Sequence, residues 1–198
     1  MTPEERAALE AEIRGHFDRG DLDAAMTAAI TGYGDELFGF LVGLSGSADR
    51  ASDVWSALCE RLWIGLPGFR WESSFRVWAY TAARHEHLRA GRRASSRARR
   101  EVPLSAAPSV QEAIDQVRSR TASYLRTDVK DAFARVREEL EPDDHVVLGL
   151  RLDRGMAWSD IARVLGSEPA NVARDAAALR KRFERLKQRL RALIDAAR

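Results

Sequence analysis

The chain has 198 residues and a mass of 22.1 kDa, room for one domain or two small ones. Hydrophobic residues make up 45%, enough for a core, and the formal net charge of +2 conceals an acidic front: residues 1–83 carry seven arginines against thirteen acidic residues, whereas residues 84–100 carry seven arginines against Glu86 alone. A single cysteine, Cys59 on an apolar stripe, excludes a disulfide framework; no stretch approaches the roughly 18 apolar residues of a membrane span, and the acidic start MTPEERAALEAEI is unlike a signal peptide, so a cytoplasmic protein without membrane contact is expected.

Thr2, Pro3 and Glu5 predict a capped first helix that Gly20 ends. Leu22, Ala25, Met26, Ala29 and Ile30 make a second amphipathic pattern, continued by Tyr33, Leu37, Phe40 and Leu41, with Gly32 and Gly34 expected to break or bend it. From Asp53, the residues Trp55, Leu58, Cys59, Leu62 and Leu66 form an apolar stripe opposite Asp53, Ser56 and Glu60, and Leu66-Pro67-Gly68 stops the helix. A loop with Phe69, Arg70 and Trp71 follows. Ser73 or Ser74 then caps a helix whose inner stripe is Phe75, Trp78, Ala79 and Ala82, with Arg76, Tyr80, Arg84 and His87 on the opposite face.

That opposite face combines cations with a ring, the pairing that holds single-stranded nucleic acid: cations follow phosphates, and rings stack on bases at about 1–3 kcal/mol each. The arginine band behind it suits phosphates too, although a solvated linker would have the same composition.

Residues 94–108 mix Ser, Ala, Pro and Arg without periodicity, as a linker does. Ser109 to Glu112 reads as a second capping box, opening a short helix of the linker or the next domain with Val110, Ala113, Ile114 and Val117 on one side. From Asp128 a helix lined by Val129, Ala132, Phe133, Val136 and Leu140 is expected. Pro142 starts another, with Val146, Val147, Leu150 and Leu152 inside and Gly155 at its end. Trp158 to Gly166, a tight turn and a long basic helix from about Pro169 then form a helix-turn-helix pattern. In the long helix Val172, Ala176, Leu179 and Phe183 face inward, Ala170, Arg174, Ala177 and Lys181 face out, and Asn171, Asp175, Ala178 and Arg182 flank them. Leu179, Phe183, Leu186, Leu190 and Leu193 prolong a seam that packs back on the domain's first helix or serves a partner.

No strand-like alternation occurs. The expected fold is all-α: two helical domains, residues 1–93 and 128–198, joined by a flexible linker over 94–127, with the helix-turn-helix in the second. His85 and His87 point to different sides of a helix, His16 and His145 are isolated, and there is no phosphate loop or nucleophile elbow. An enzyme, a metal site or a cofactor is therefore not expected.

Asp53-Val54-Trp55-Ser56, Trp63, Phe75-Arg76-Val77-Trp78-Ala79, Arg84-His85 and Arg92-Arg93 together resemble the promoter-opening segment of bacterial sigma factors, in particular the extracytoplasmic-function group. The resemblance spans about residues 19–93, with Ser56 where Gln is usual, His85 where Asn is usual and Arg89 where Asp is usual. It returns over about residues 128–190 in Asp160-Ile161-Ala162 and, partially, in Asn171-Val172-Ala173-Arg174-Asp175.

The resemblance implies a factor that binds core RNA polymerase and directs promoter recognition and opening. Asp53, Ser56 and Glu60 would dock on the polymerase. Phe69, Arg70 and Trp71 would capture a base of the minus-ten element, and Arg76, Tyr80, Arg84 and His87 would hold its strand. Arg89, Arg92 and Arg93 would follow upstream phosphates, and the linker would thread towards the RNA exit path. Asn171 and Arg174 would read the minus-thirty-five element, with Lys181 and Arg182 beside them. Promoter DNA and core RNA polymerase are the implied partners, and an anti-sigma factor is common in the family. Two other readings remain: a sigma-like helix-turn-helix regulator or interaction module that does not initiate transcription, and an RNA-binding helical protein using the basic band.

Overall fold

Thr2 opens the first helix as expected: its Oγ1 accepts from Glu5 N at 3.2 Å while the Glu5 carboxylate accepts from Thr2 N at 2.7 Å. The computed structural model describes residues 1–93, 107–124 and 140–196, and every regular element among them is helical. Residues 94–106 of the expected linker and most of the helix expected from Asp128, including Val129, Ala132, Phe133 and Val136, lie outside the described residues. The chain divides into two compact units, Met1–Leu125 and Arg126–Arg198. Among the described residues no helix is long and apolar enough to cross a membrane.

The first unit contains α1 (Pro3–Asp18), α2 (Leu22–Ser45), α3 (Ala48–Gly65), α4 (Phe75–Arg93) and α5 (Pro108–Tyr124). Its core is built on α2, where Met26, Ile30, Tyr33, Leu37 and Leu41 are all fully buried. Gly32 and Gly34 do not interrupt α2. They are packing notches: a Cβ on Gly32 would come within 2.2 Å of Leu9 in α1, and one on Gly34 within 2.5 Å of Val117 in α5. Helix propensity favours alanine over glycine by about 1 kcal/mol, but here the absent side chain lets neighbouring helices approach.

The α3 stripe of Trp55, Leu58, Cys59, Leu62 and Leu66 is buried, and the helix begins five residues before Asp53, at Ala48. A 3-10 turn over Leu66–Gly68 stops it. Of the two candidate caps of α4, Ser74 serves: its Oγ accepts from Val77 N at 3.2 Å.

Two expectations about α4 and α5 are corrected. Arg76 and Tyr80 do not face solvent, being 5% and 0% exposed, because α4 is packed by both α2 and α3 and so buries two faces. The helix expected within the linker, α5, packs along α2 with Val110, Ile114 and Val117 buried, and is part of the first unit. Its first residue is Pro108. Ser109 is therefore no cap, and instead accepts from the Thr27 hydroxyl of α2 at 3.3 Å.

In the second unit, α6 (Pro142–Leu148) runs into a wider π turn over Gly149–Asp153, followed by α7 (Trp158–Val164) and α8 (Val172–Ala196). Val146, Val147 and Leu150 are buried as expected, whereas Leu152 is 61% exposed. Gly166, at φ +95°, makes the turn between α7 and α8 that a side chain would strain. Val172, Ala176, Leu179, Phe183 and Leu186 hold α8 to the core, with Trp158 meeting Phe183 edge to face at 5.2 Å. Leu190 is half-buried, and the side chain of Leu193 lies outside the described residues.

Candidate nucleic-acid interface

Glu10 of α1 fixes the start of α4. Its carboxylate accepts from Phe75 N at 2.8 Å, from Arg76 N at 3.0 Å and from the Tyr33 hydroxyl at 2.8 Å. An anion at a helix N-terminus satisfies open amides and meets the positive end of the helix dipole. Burial, reinforced by Glu10, raises the Tyr33 pKa far above the ordinary phenol value, so its hydroxyl stays a donor. Nothing in the sequence pattern linked Glu10 to a helix 65 residues away.

The loop before α4 is held from two sides. Trp71 has φ 56°, a left-handed conformation that costs about 1–3 kcal/mol for a bulky residue. Tertiary contacts hold it there: Phe17 of α1 meets its ring edge to face at 5.6 Å, the Arg14 guanidinium lies 5.1 Å from its centroid, and Phe69 packs at 4.9 Å. On the other side Phe69 stacks on Trp78 at 4.7 Å with 18° between planes. These two rings wall a groove of about 430 Å³, also lined by Arg61, Ile64, Arg70 and Ser73. Ile64, at 57% exposure, leaves an apolar rim.

The expected trio is thus divided. Phe69 and Arg70 line the groove, and Trp71 turns to α1. Arg61, Ile64 and Trp78 join the groove although sequence reasoning gave them no binding role. The signal was present in Ile64, an apolar residue off the α3 stripe. Arg70 is 80% exposed and pairs with Glu72 at 3.3 Å.

Behind the groove, the cations differ in availability. Arg76 makes a two-pronged pair with Glu36, Nε to Oε1 at 2.6 Å and Nη2 to Oε2 at 3.1 Å, and lies 5.5 Å from the Tyr80 ring centroid. Burial alone would lower its pKa, but the bonds and charge of Glu36 raise it overall, so Arg76 is a charged part of the core. Neither Arg76 nor Tyr80 is open to a DNA strand. Arg89 is exposed and pairs with the buried Glu86 at 3.1 Å, and Arg61 reaches the same carboxylate at 3.6 Å. Arg84 and His87 are half-buried, the latter with Nδ1 3.4 Å from the Ser45 hydroxyl. The side chains of Arg92 and Arg93 lie outside the described residues.

Residues 29–97 match the family model for Sigma-70 region 2. The matched residues take in most of α2, all of α3, the groove and α4. Helices α1 and α5 lie outside the matched residues. No curated protein and no solved structure matches the chain.

On the matched segment, Asp53 is exposed, and Ser56 and Glu60 are half-buried one and two turns further along α3. The Ser56 hydroxyl donates to Ser52 O at 3.1 Å and accepts from Nη2 of Arg118 on α5. In the second unit, Arg174 and Lys181 are exposed and Asn171 is half-buried in a 3-10 turn. Arg174 Nε donates to Asp175 at 3.0 Å. Hydrogen bonds from Ser167 and then Arg174 lower the Asp175 pKa, so this carboxylate is occupied within its own turn. The Arg182 side chain, 37% exposed, donates through Nε at 2.6 Å to Asp144 of α6 and so joins α8 to α6.

Proposed function

We propose that the chain is a sigma factor of the extracytoplasmic-function type, binding core RNA polymerase and directing promoter recognition and opening without catalysing a reaction. The observation that carries this reading is the aromatic groove at Phe69 and Trp78 within a segment matching Sigma-70 region 2. A groove walled by stacked rings suits an unpaired base, and stacking at about 1–3 kcal/mol per base offsets part of the few kcal/mol that extruding it costs. Arg61 and Arg70 flank the groove, and Arg84, His87, Arg89, Arg92 and Arg93 follow along α4 where the displaced strand's phosphates would run.

On this reading Asp53, Ser56 and Glu60 dock on the polymerase, and Asn171, in the turn before α8, presents itself with Arg174 and Lys181 of α8 to the minus-thirty-five element. Arg76 and Tyr80 stabilise α4 rather than touch DNA, and Trp71 shapes the loop. An anti-sigma factor belongs to the family pattern, and a cytoplasmic location follows from the partner.

Binding to sigma-free core RNA polymerase tests the proposal. The wild type is expected to bind, and an Asp53→Arg, Glu60→Arg variant at least about tenfold more weakly, because like charges placed across an interface cost several kcal/mol. No binding by the wild type would discard the sigma reading. A regulator that kept the fold but does not initiate transcription is the second reading, favoured by the engagement of Arg174 with Asp175 and of Arg182 with Asp144.

A further inference from the structure

The α2–α3 face of the region-2 segment is covered by a helix from the same chain. Two contacts fix how α5 lies on it: Ser109 meets Thr27 near the start of α2, and Val117 meets Gly34 further along, so the helices run parallel. One residue beyond Val117, Arg118 donates to Ser56 on α3. Ser56 belongs to the set assigned to polymerase docking, one turn from the exposed Asp53.

We propose that α5 is a displaceable occupant of the polymerase-docking face, and that polymerase binds by displacing α5 from α2 and α3. The inference rests on the sigma reading and concerns regulation of that same surface.

Three features make α5 suited to this. It is amphipathic, with Val110, Ala113, Ile114 and Val117 inward while Ser109, Glu112, Asp115 and Gln116 are exposed, so it can leave without abandoning a polar interior of its own. Its seat is a helix-shaped groove, since Gly34 permits an approach that any Cβ would block, and such a groove accepts another amphipathic helix. Two hydrogen bonds that join its described residues to α2 and α3, Ser109 with Thr27 and Arg118 with Ser56, involve serine and threonine hydroxyls that a partner or water can satisfy.

Because α5 is tethered, it competes as an intramolecular ligand at high effective concentration. The affinity for polymerase is then the intrinsic affinity scaled by the fraction of chains with α5 displaced. Free factor is thereby held back, with no second protein needed.

The test is a full-length Thr27→Cys, Ser109→Cys variant, whose two hydroxyls lie 3.3 Å apart in the parent and whose one native thiol, Cys59, is buried. Oxidation locks α5 in place, as mass spectrometry verifies. The oxidised form is expected to bind core polymerase at least about tenfold more weakly than the reduced form, and the reduced form like wild type. Equal affinities of the two forms would overturn the proposal. A full-length Ile114→Asp variant gives an arm free of disulfide chemistry: with native helicity retained, it is expected to bind more tightly than wild type, and weaker or unchanged binding counts against displacement. If wild type and reduced variant alike fail to bind polymerase, the sigma reading itself is lost and this inference with it, an outcome distinct from equal binding by both forms.

Discussion

Inside α4 the Arg76 guanidinium sits 5% exposed against Glu36 at 2.6 Å, a buried charge that is tolerable only because its partner is two-pronged and equally fixed. The histidines further along the helix have no such compensation. Burial lowers the His87 pKa, and burial followed by Arg84, Arg61 and Arg89 lowers that of His85 against a smaller pull from Glu86. Both folded values lie below the unfolded one of about 6.5, so on acidification the unfolded chain takes up protons first. The stability of the first unit is therefore full above about pH 6.5 and declines as pH falls through the lowered folded values. Urea midpoints at about pH 7.5 and pH 5.5 should show this fall, and a His85→Gln, His87→Gln variant should show a flatter profile; an identical profile would exclude these groups as its origin.

At the scale of elements, α1 acts as a clamp on the loop and on the start of α4. Glu10 receives two amides of α4 and the Tyr33 hydroxyl of α2, while Phe17 and Arg14 hold Trp71 in its left-handed conformation. Glu10→Ala is expected to destabilise the first unit by about 2–3 kcal/mol, since each charge-assisted bond lost leaves a partly buried donor. The change should also reach the groove, because Phe69 touches Trp71 on one side and Trp78 on the other. Denaturant unfolding gives the first quantity and tryptophan fluorescence reports the second. A stability loss below about 0.5 kcal/mol would mean that water replaces the carboxylate.

For the whole molecule, two units each own a hydrophobic core, one on α2 and the other on α8. Units of this kind unfold as separate cooperative bodies. Asp144→Ala removes the anchor of Arg182 and is expected to lower the stability of the second unit by about 1–3 kcal/mol while leaving the transition of the first in place. Calorimetry that shows both transitions moving together would instead make the chain one cooperative body.

Helix periodicity, the Thr2 capping box, the stop at Leu66–Gly68 and the inward face of α8 were determined by the sequence alone, because caps and apolar spacing act over one or two turns. The candidate site was legible in outline for the same reason: Phe69 and Arg70 lie in a loop that an aromatic run and a Pro-Gly stop define locally. The tertiary structure decided the rest. Arg76 and Tyr80 went inside because α4 packs against two helices, which no single-helix periodicity reveals. Gly32 and Gly34 became notches rather than breaks because Leu9 and Val117 press on them, and a 17-residue helix that reads as linker found its place on α2. Each of these depends on a neighbour distant in sequence, and the spacing of residues along one element carries no information about which neighbour will arrive.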